Sequence, residues 1–102
     1  MLVHVFSFKW RLDATAEDAH RAVAEIRGFA RVIPGLLELW IGTNVSTKSP
    51  GFSTTGVMVF KDREAYAAYQ TNEVHQRLLR WLVPKIDPLE LDFEARNLIA
   101  AS

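Results

Sequence analysis

The stretch VMVFKDREAYAAYQTNEVH, Val57–His75, decides the fold. Val57 and Val59 alternate with Met58 and Phe60, which is the closing half of a β-strand. Asp62 then stands where a helix cap belongs, and a short helix is expected through about Gln70. Asn72 caps a second helix carrying Leu78, Leu79 and Leu82 before Pro84. A strand that leads into a broken helical crossover is half of a split βαβ unit. Tyr69 and His75 flank the break, and both side chains can pass protons.

The rest of the chain completes that unit. Upstream, Leu2, His4, Phe6, Phe8 and Trp10 share one face of a period-2 strand, with Val3, Val5, Ser7 and Lys9 on the other. Thr15 and Asp18 form a shortened capping box, opening a helix expected to run to about Ile33. Ala19, Ala22, Val23, Ile26, Phe29, Ala30 and Ile33 make its apolar stripe, and Pro34-Gly35 ends it. Leu36–Thr43 reads as a second strand, with Leu37, Leu39 and Ile41 opposite Leu36, Glu38, Trp40 and Gly42. Asn44–Gly51 is a polar loop, and Phe52–Phe60 returns beside the second strand. Leu89, Leu91 and Phe93 alternate with Glu90 and Asp92 in a last strand, followed by a short tail from Ala95.

The order β-α-β-β-α-α-β is that of a ferredoxin-like α+β fold, a four-stranded antiparallel sheet with its helices on one face. Helices cover only one side of a sheet, yet both faces of the first three strands are apolar. A bare second face would exceed the few hundred Å² that soluble monomers expose. A symmetric homodimer joined sheet to sheet is therefore expected.

Composition narrows the function. The chain has 102 residues, enough for one domain spanning 1–102, and such a domain buries roughly 60–65% of its unfolded surface. Twelve Lys and Arg balance 12 Asp and Glu, so no nucleic-acid footprint is expected. Arg21, Arg27 and Arg31 interleave with Glu17, Asp18 and Glu25, as on a solvated helix face. The absence of cysteine excludes disulfides and thiolate catalysis. The amino terminus alternates and does not read as a signal peptide. No apolar run approaches the ~18 residues of a membrane span, so a cytoplasmic protein with no membrane partner is expected.

Few residues remain for chemistry. His20 lies off the apolar stripe and reads as solvated. His4 shares a face with Leu2 and Phe6, and is either a satisfied core histidine or a site residue. Tyr69 and His75, brought to one opening by the helix break, would serve as acid and base on an enolisable carbonyl compound. The alternative is a core tyrosine with its hydroxyl at the rim and an exposed histidine. There is no Gly-rich phosphate loop, nucleophile elbow or His-Glu-x-x-His motif. No spacing supports a metal site, and no cofactor is expected. Trp10, Trp40 and Trp81 read as packing or interface residues.

At these positions the chain resembles the stress-responsive A/B barrel domain family. The marks are Val3 to Lys9, Ile33-Pro34-Gly35-Leu36, Val59 to Ala65, Ala68-Tyr69-Gln70-Thr71 followed by His75, Leu82-Val83-Pro84 and Leu91-Asp92-Phe93. The resemblance implies a dimeric α+β barrel with the helices outside. One branch of the family, similar to plant olivetolic acid cyclase, carries out cofactor-free aldol cyclisation of a linear polyketide. Its pocket tyrosine and histidine correspond to Tyr69 and His75, and a first-strand histidine to His4. Thr54 stands where the family often has a third-strand histidine, and Ile26 where the cyclase has a helix-one aromatic. Asn72-Glu73 replaces a frequent His-Pro.

The expected molecule is thus a homodimer binding a small, largely apolar organic molecule, with walls from Phe6, Ile26, Phe29, Thr54 and Leu79. Tyr69, His75 and His4 would carry aldol-type cyclisation or isomerisation. Two alternatives stay open: a non-catalytic, stress-associated binding dimer, and a cofactor-free monooxygenase of polyketide-like aromatics.

Overall fold

Strand β1 (Leu2–Trp10) lies in the middle of the sheet, antiparallel to both β3 (Phe52–Phe60) and β4 (Ile86–Glu94). Strand β2 (Leu36–Thr43) pairs antiparallel with β3, so the order across the sheet is β2-β3-β1-β4. Helix α1 (Ala16–Gly28) connects β1 to β2, while α2 (Arg63–Thr71) and α3 (Glu73–Leu82) connect β3 to β4. This is the expected ferredoxin-like α+β arrangement. The computed structural model describes residues 1–96; most of the tail expected from Ala95 lies outside them.

The alternation in β1 sorts the two faces. Leu2, His4, Phe6 and Phe8 are buried beneath the helices, opposite Phe60, Met58, Gly56 and Thr54 of β3. With Ala22 and Ile26 of α1, Phe29 just after it, Ala65 and Tyr69 of α2, and Leu78 and Leu82 of α3, they form one core. Gly56 is required here: a Cβ would overlap the Phe6 ring and lie 2.7 Å from the Trp40 carbonyl oxygen.

Local chemistry sets the ends of the elements. The Thr15 hydroxyl accepts the Asp18 N–H, and the Asp18 carboxylate accepts the Thr15 N–H, a complete capping box. Asp62 caps α2 by accepting the Ala65 N–H at 2.8 Å. Gly35 takes a left-handed backbone at φ 79°, turning the chain from the first helix into β2.

Three expectations are corrected. The first helix does not run unbroken to Ile33: α1 stops at Gly28 and a single 3-10 turn, Phe29–Arg31, completes it, leaving Ala30 exposed. Glycine is a weak helix former, and a tighter turn satisfies the last carbonyls. In β2, an irregularity between Leu36 and Glu38 places Leu36, not Leu37, against the core with Leu39 and Ile41. The last strand begins at Ile86 and carries Pro88, which an edge position tolerates because no partner needs its missing N–H.

On β4 the amphipathic pattern is inverted. Pro88, Glu90 and Asp92 pair with Phe8, Phe6 and His4, on the face that bears the helices. Leu89, Leu91 and Phe93 pair with Ser7, Val5 and Val3, on the open face. There, with Trp40 66% exposed, Leu91 58% and Phe93 53%, they extend an apolar surface that includes the half-buried Val3, Val5 and Val57. Among the described residues no helix is long and apolar enough to cross a membrane.

Candidate functional site

Helix α3 stands away from β1 and β4 far enough to leave a cavity of about 330 Å³. Its walls are mainly apolar, from Phe6, Phe8, Ile26, Met58, Leu78, Leu79, Leu82 and Ile86. His4, Tyr69, Gln70, His75 and Glu90 bring the polar groups. Such a lining, apolar with a few polar groups, suits a small organic ligand.

At one end, the helix break places His75 against Tyr69. Helix α2 ends at Thr71, and Asn72 turns the chain with an extended backbone before its side chain accepts the Val74 N–H at 2.9 Å. His75, in the first turn of α3, therefore folds back over Tyr69. Their rings stack at 4.1 Å between centroids and 20° between planes. Phe29 packs edge-on against both, at 5.9 and 6.3 Å. His75 Nδ1 lies 3.3 Å from the Gln70 carbonyl oxygen, which assigns its N–H to that carbonyl and leaves Nε2 with a lone pair. Burial lowers the His75 pKa from the usual 6.5, outweighing the backbone carbonyls of Gln70 and Tyr69 that raise it. Its neutral form therefore prevails at neutral pH. Burial also raises the Tyr69 phenol far above its usual value, helped by Tyr66 and Glu90, so it stays protonated.

At the other end, sheet register brings carboxylates to His4. His4 is opposite Asp92 across the β1–β4 ladder, and its Nδ1 lies 2.6 Å from Asp92 Oδ1. The Tyr66 hydroxyl, one helical turn before Tyr69, donates to Asp92 Oδ2 at 3.0 Å. It also lies 3.3 Å from His4 Nδ1. Burial raises the Tyr66 phenol, and the hydrogen bond and charge of Asp92 push it further. On its remaining side, His4 Nε2 lies 3.8 Å from Glu90 Oε1. The Tyr69 ring stands between the two ends, 6.3 Å from the ring of His4.

Of the expected site residues, His4, Tyr69, His75, Phe6, Ile26 and Leu79 all line the cavity. Phe29 does not; it sits behind the Tyr69–His75 stack as a support. Thr54 does not either, because it faces Trp10, accepting the indole N–H at 3.0 Å. Tyr69 and His75 come together as expected at the helix break, and they meet through their ring faces. Sequence reading missed Tyr66, Glu90 and Asp92. The i, i+3 spacing from Tyr69 is a signal that could have found Tyr66, whereas the two acids depend on the β1–β4 register. Among the described residues no group of three or more His, Cys, Asp or Glu side chains is placed to hold a metal ion.

Comparisons with known proteins agree with this architecture. The profile described as Stress responsive A/B Barrel Domain matches residues 2–95. Comparison by sequence with curated proteins gives no match. Among solved structures, the chain is similar to a dimeric ferredoxin-like protein of unknown function from Jannaschia sp. CCS1. The two share 27% identity with a TM-score of 0.81, covering 92% of this chain and 98% of that one. It shares its fold with a hydroxynitrile lyase from Passiflora edulis, at 10% identity, TM-score 0.84, covering 97% and 96% of the two chains. It shares it also with SnoaB, a cofactor-independent oxygenase from Streptomyces nogalater, at 18% identity, TM-score 0.74, covering 98% and 97%.

Proposed function

Because the chain belongs to the stress-responsive A/B barrel domain family, we propose that it works as a homodimer joined through the open sheet faces. Each subunit binds a small, largely apolar carbonyl compound in its cavity and moves protons on it without a cofactor. The observation that carries this reading is that the Tyr69–His75 stack and the Asp92-bound His4 line one largely apolar cavity. Support for the dimer comes from the exposed Trp40, Leu91 and Phe93 and from the dimeric Jannaschia relative. A hydroxynitrile lyase and a cofactor-independent oxygenase on this fold show that it accommodates enzymes.

In this scheme neutral His75 is the base. Its Nε2 takes the proton from the carbon next to the carbonyl; the C–H electrons become the C=C bond of an enolate. The protonated Tyr69 phenol donates a hydrogen bond to the oxygen where negative charge grows. His4, with its Nδ1–H given to Asp92, presents Nε2 to a hydroxyl or enol of the substrate and orients it. Return of the proton to another carbon gives isomerisation. Attack of the enolate carbon on a second carbonyl of the same molecule gives aldol-type cyclisation.

Deuterium uptake at the α-carbon of 2-tetralone, followed by NMR, tests the assignment. His75→Ala is expected to slow exchange by about 10²-fold or more, and Tyr69→Phe by less. Equal exchange in wild type and both variants sinks the acid–base reading and leaves a passive binding dimer. Oxygen uptake with a hydroquinone, in place of exchange, would favour the oxygenase alternative. For assembly, a folded monomer at micromolar concentration in sedimentation overturns the dimer.

A further inference from the structure

The cavity has a sign. Of the residues in its walls, Glu90 is the only carboxylate and none is lysine or arginine; the other polar groups belong to His4, Tyr69, Gln70 and His75. Asp92 stands behind His4 as a second carboxylate. Among the described residues, no lysine or arginine pairs with Glu90. Arg77 and Arg80 are engaged by Glu73, Lys85 by Asp13 and Asp18, and Arg63 by Glu94. The amino terminus of α3 would attract an anion, but Asn72 caps it and Glu73 occupies its first turn. The Glu90 charge is felt across the cavity: after burial, it is among the causes that raise both tyrosine phenols.

We propose that Glu90 makes the cavity selective for uncharged organic molecules bearing a hydroxyl group, and turns away carboxylates of the same size and shape. The inference rests on the reading that the cavity binds an apolar ligand, and gives that ligand its charge class. The 3.8 Å between Glu90 Oε1 and His4 Nε2 is too long for a direct hydrogen bond. A hydroxyl placed between the two can donate to one of these acceptors while remaining near the other. A carboxylate in the same place would bring a second negative charge beside Glu90, with Asp92 behind His4 adding to the repulsion. Because the Glu90 side chain is 59% exposed, water screens part of this repulsion. The expected discrimination from one charge is therefore about five- to tenfold.

The test uses the intact protein and a matched pair of probes, 2-naphthol and 2-naphthoate, titrated calorimetrically near neutral pH. The wild type is expected to bind the naphthol more tightly. Glu90→Gln should strengthen naphthoate binding about five- to tenfold and weaken naphthol binding by a smaller factor, because a neutral amide oxygen accepts a hydroxyl less strongly than a carboxylate does. Glu94→Gln lies on the same strand face outside the cavity and removes the same net charge. It should change neither affinity. If naphthoate binds the wild type as well as naphthol does, or if Glu90→Gln leaves the gap in place, the charge selectivity is wrong while the cavity reading stands. Equal gains from Glu94→Gln and Glu90→Gln would also overturn it, as an effect of net charge alone. If neither probe binds, the cavity reading falls and the selectivity falls with it.

Discussion

At one end of the cavity His75 lies on the Tyr69 ring and gives its N–H to a carbonyl five residues back. At the other, His4 is held by a carboxylate 88 positions away in the chain. The first arrangement is local and largely apolar, made by a helix that stops and restarts. The second is long-range and charged, made by the pairing of the central strand with an edge strand. The difference separates two ways of preparing an imidazole. Burial keeps His75 neutral, whereas a fixed acceptor selects which nitrogen of His4 holds the proton.

Tyr69→Ala is the harshest way to break the contrast. It removes a buried platform from the apolar end, and should cost about 3–5 kcal/mol in denaturant unfolding. A cost near that of the polar-end variants would show that the two ends are held alike. Asp92→Ala deprives buried His4 of its partner. Because the Asp92 side chain is 39% exposed, the expected loss is only about 1–2 kcal/mol. It should appear also as a change in the His4 Nδ1–H signal by NMR, while the His75 resonances stay put. Movement of both would mean that the ends are coupled through Tyr69. Tyr66→Phe deletes one hydrogen bond to Asp92 and should cost roughly 0.5–1 kcal/mol.

The gentlest probe is pH. The folded His75 pKa lies below its usual 6.5, so the unfolded chain binds more protons as the pH falls past that value. The stability tied to neutral His75 is complete above 6.5 and is lost as the pH drops through the lowered folded value. His75→Phe keeps an aromatic ring on Tyr69 and should flatten this part of the curve of thermal midpoint against pH. An unchanged curve would place the acid sensitivity elsewhere.

The same contrast marks what could be read before the structure was known. Strand alternation, the Asp62 and Asn72 caps and the pairing of Tyr69 with His75 rest on neighbours a few residues apart, where propensity and periodicity speak directly. His4 was a candidate because a histidine on an apolar strand face needs a partner. The partner itself was hidden. Glu90 and Asp92 alternate with Leu89, Leu91 and Phe93, and that pattern suggests acids facing water and apolar residues facing helices. The structure has the reverse, because the apolar side of β4 belongs to the open face. Leu36 and Leu37 were misjudged because one irregular residue in β2 exchanges the faces of everything before it.

The interleaving on β1 and β4 limits how this molecule can change. Phe93 and Asp92, or Val5 and His4, are successive residues on opposite faces, one on the open apolar face and one on the face that bears the helices and the cavity. A single-residue deletion near the start of β4 would swap those faces along the rest of the strand, putting carboxylates onto the open apolar face and leucines beside the imidazole. Divergence through insertion is closed off there. New specificities come more readily by substitution, at Ile26 and Leu79 in the roof or at Glu90 in the floor, which leaves the strand register unchanged.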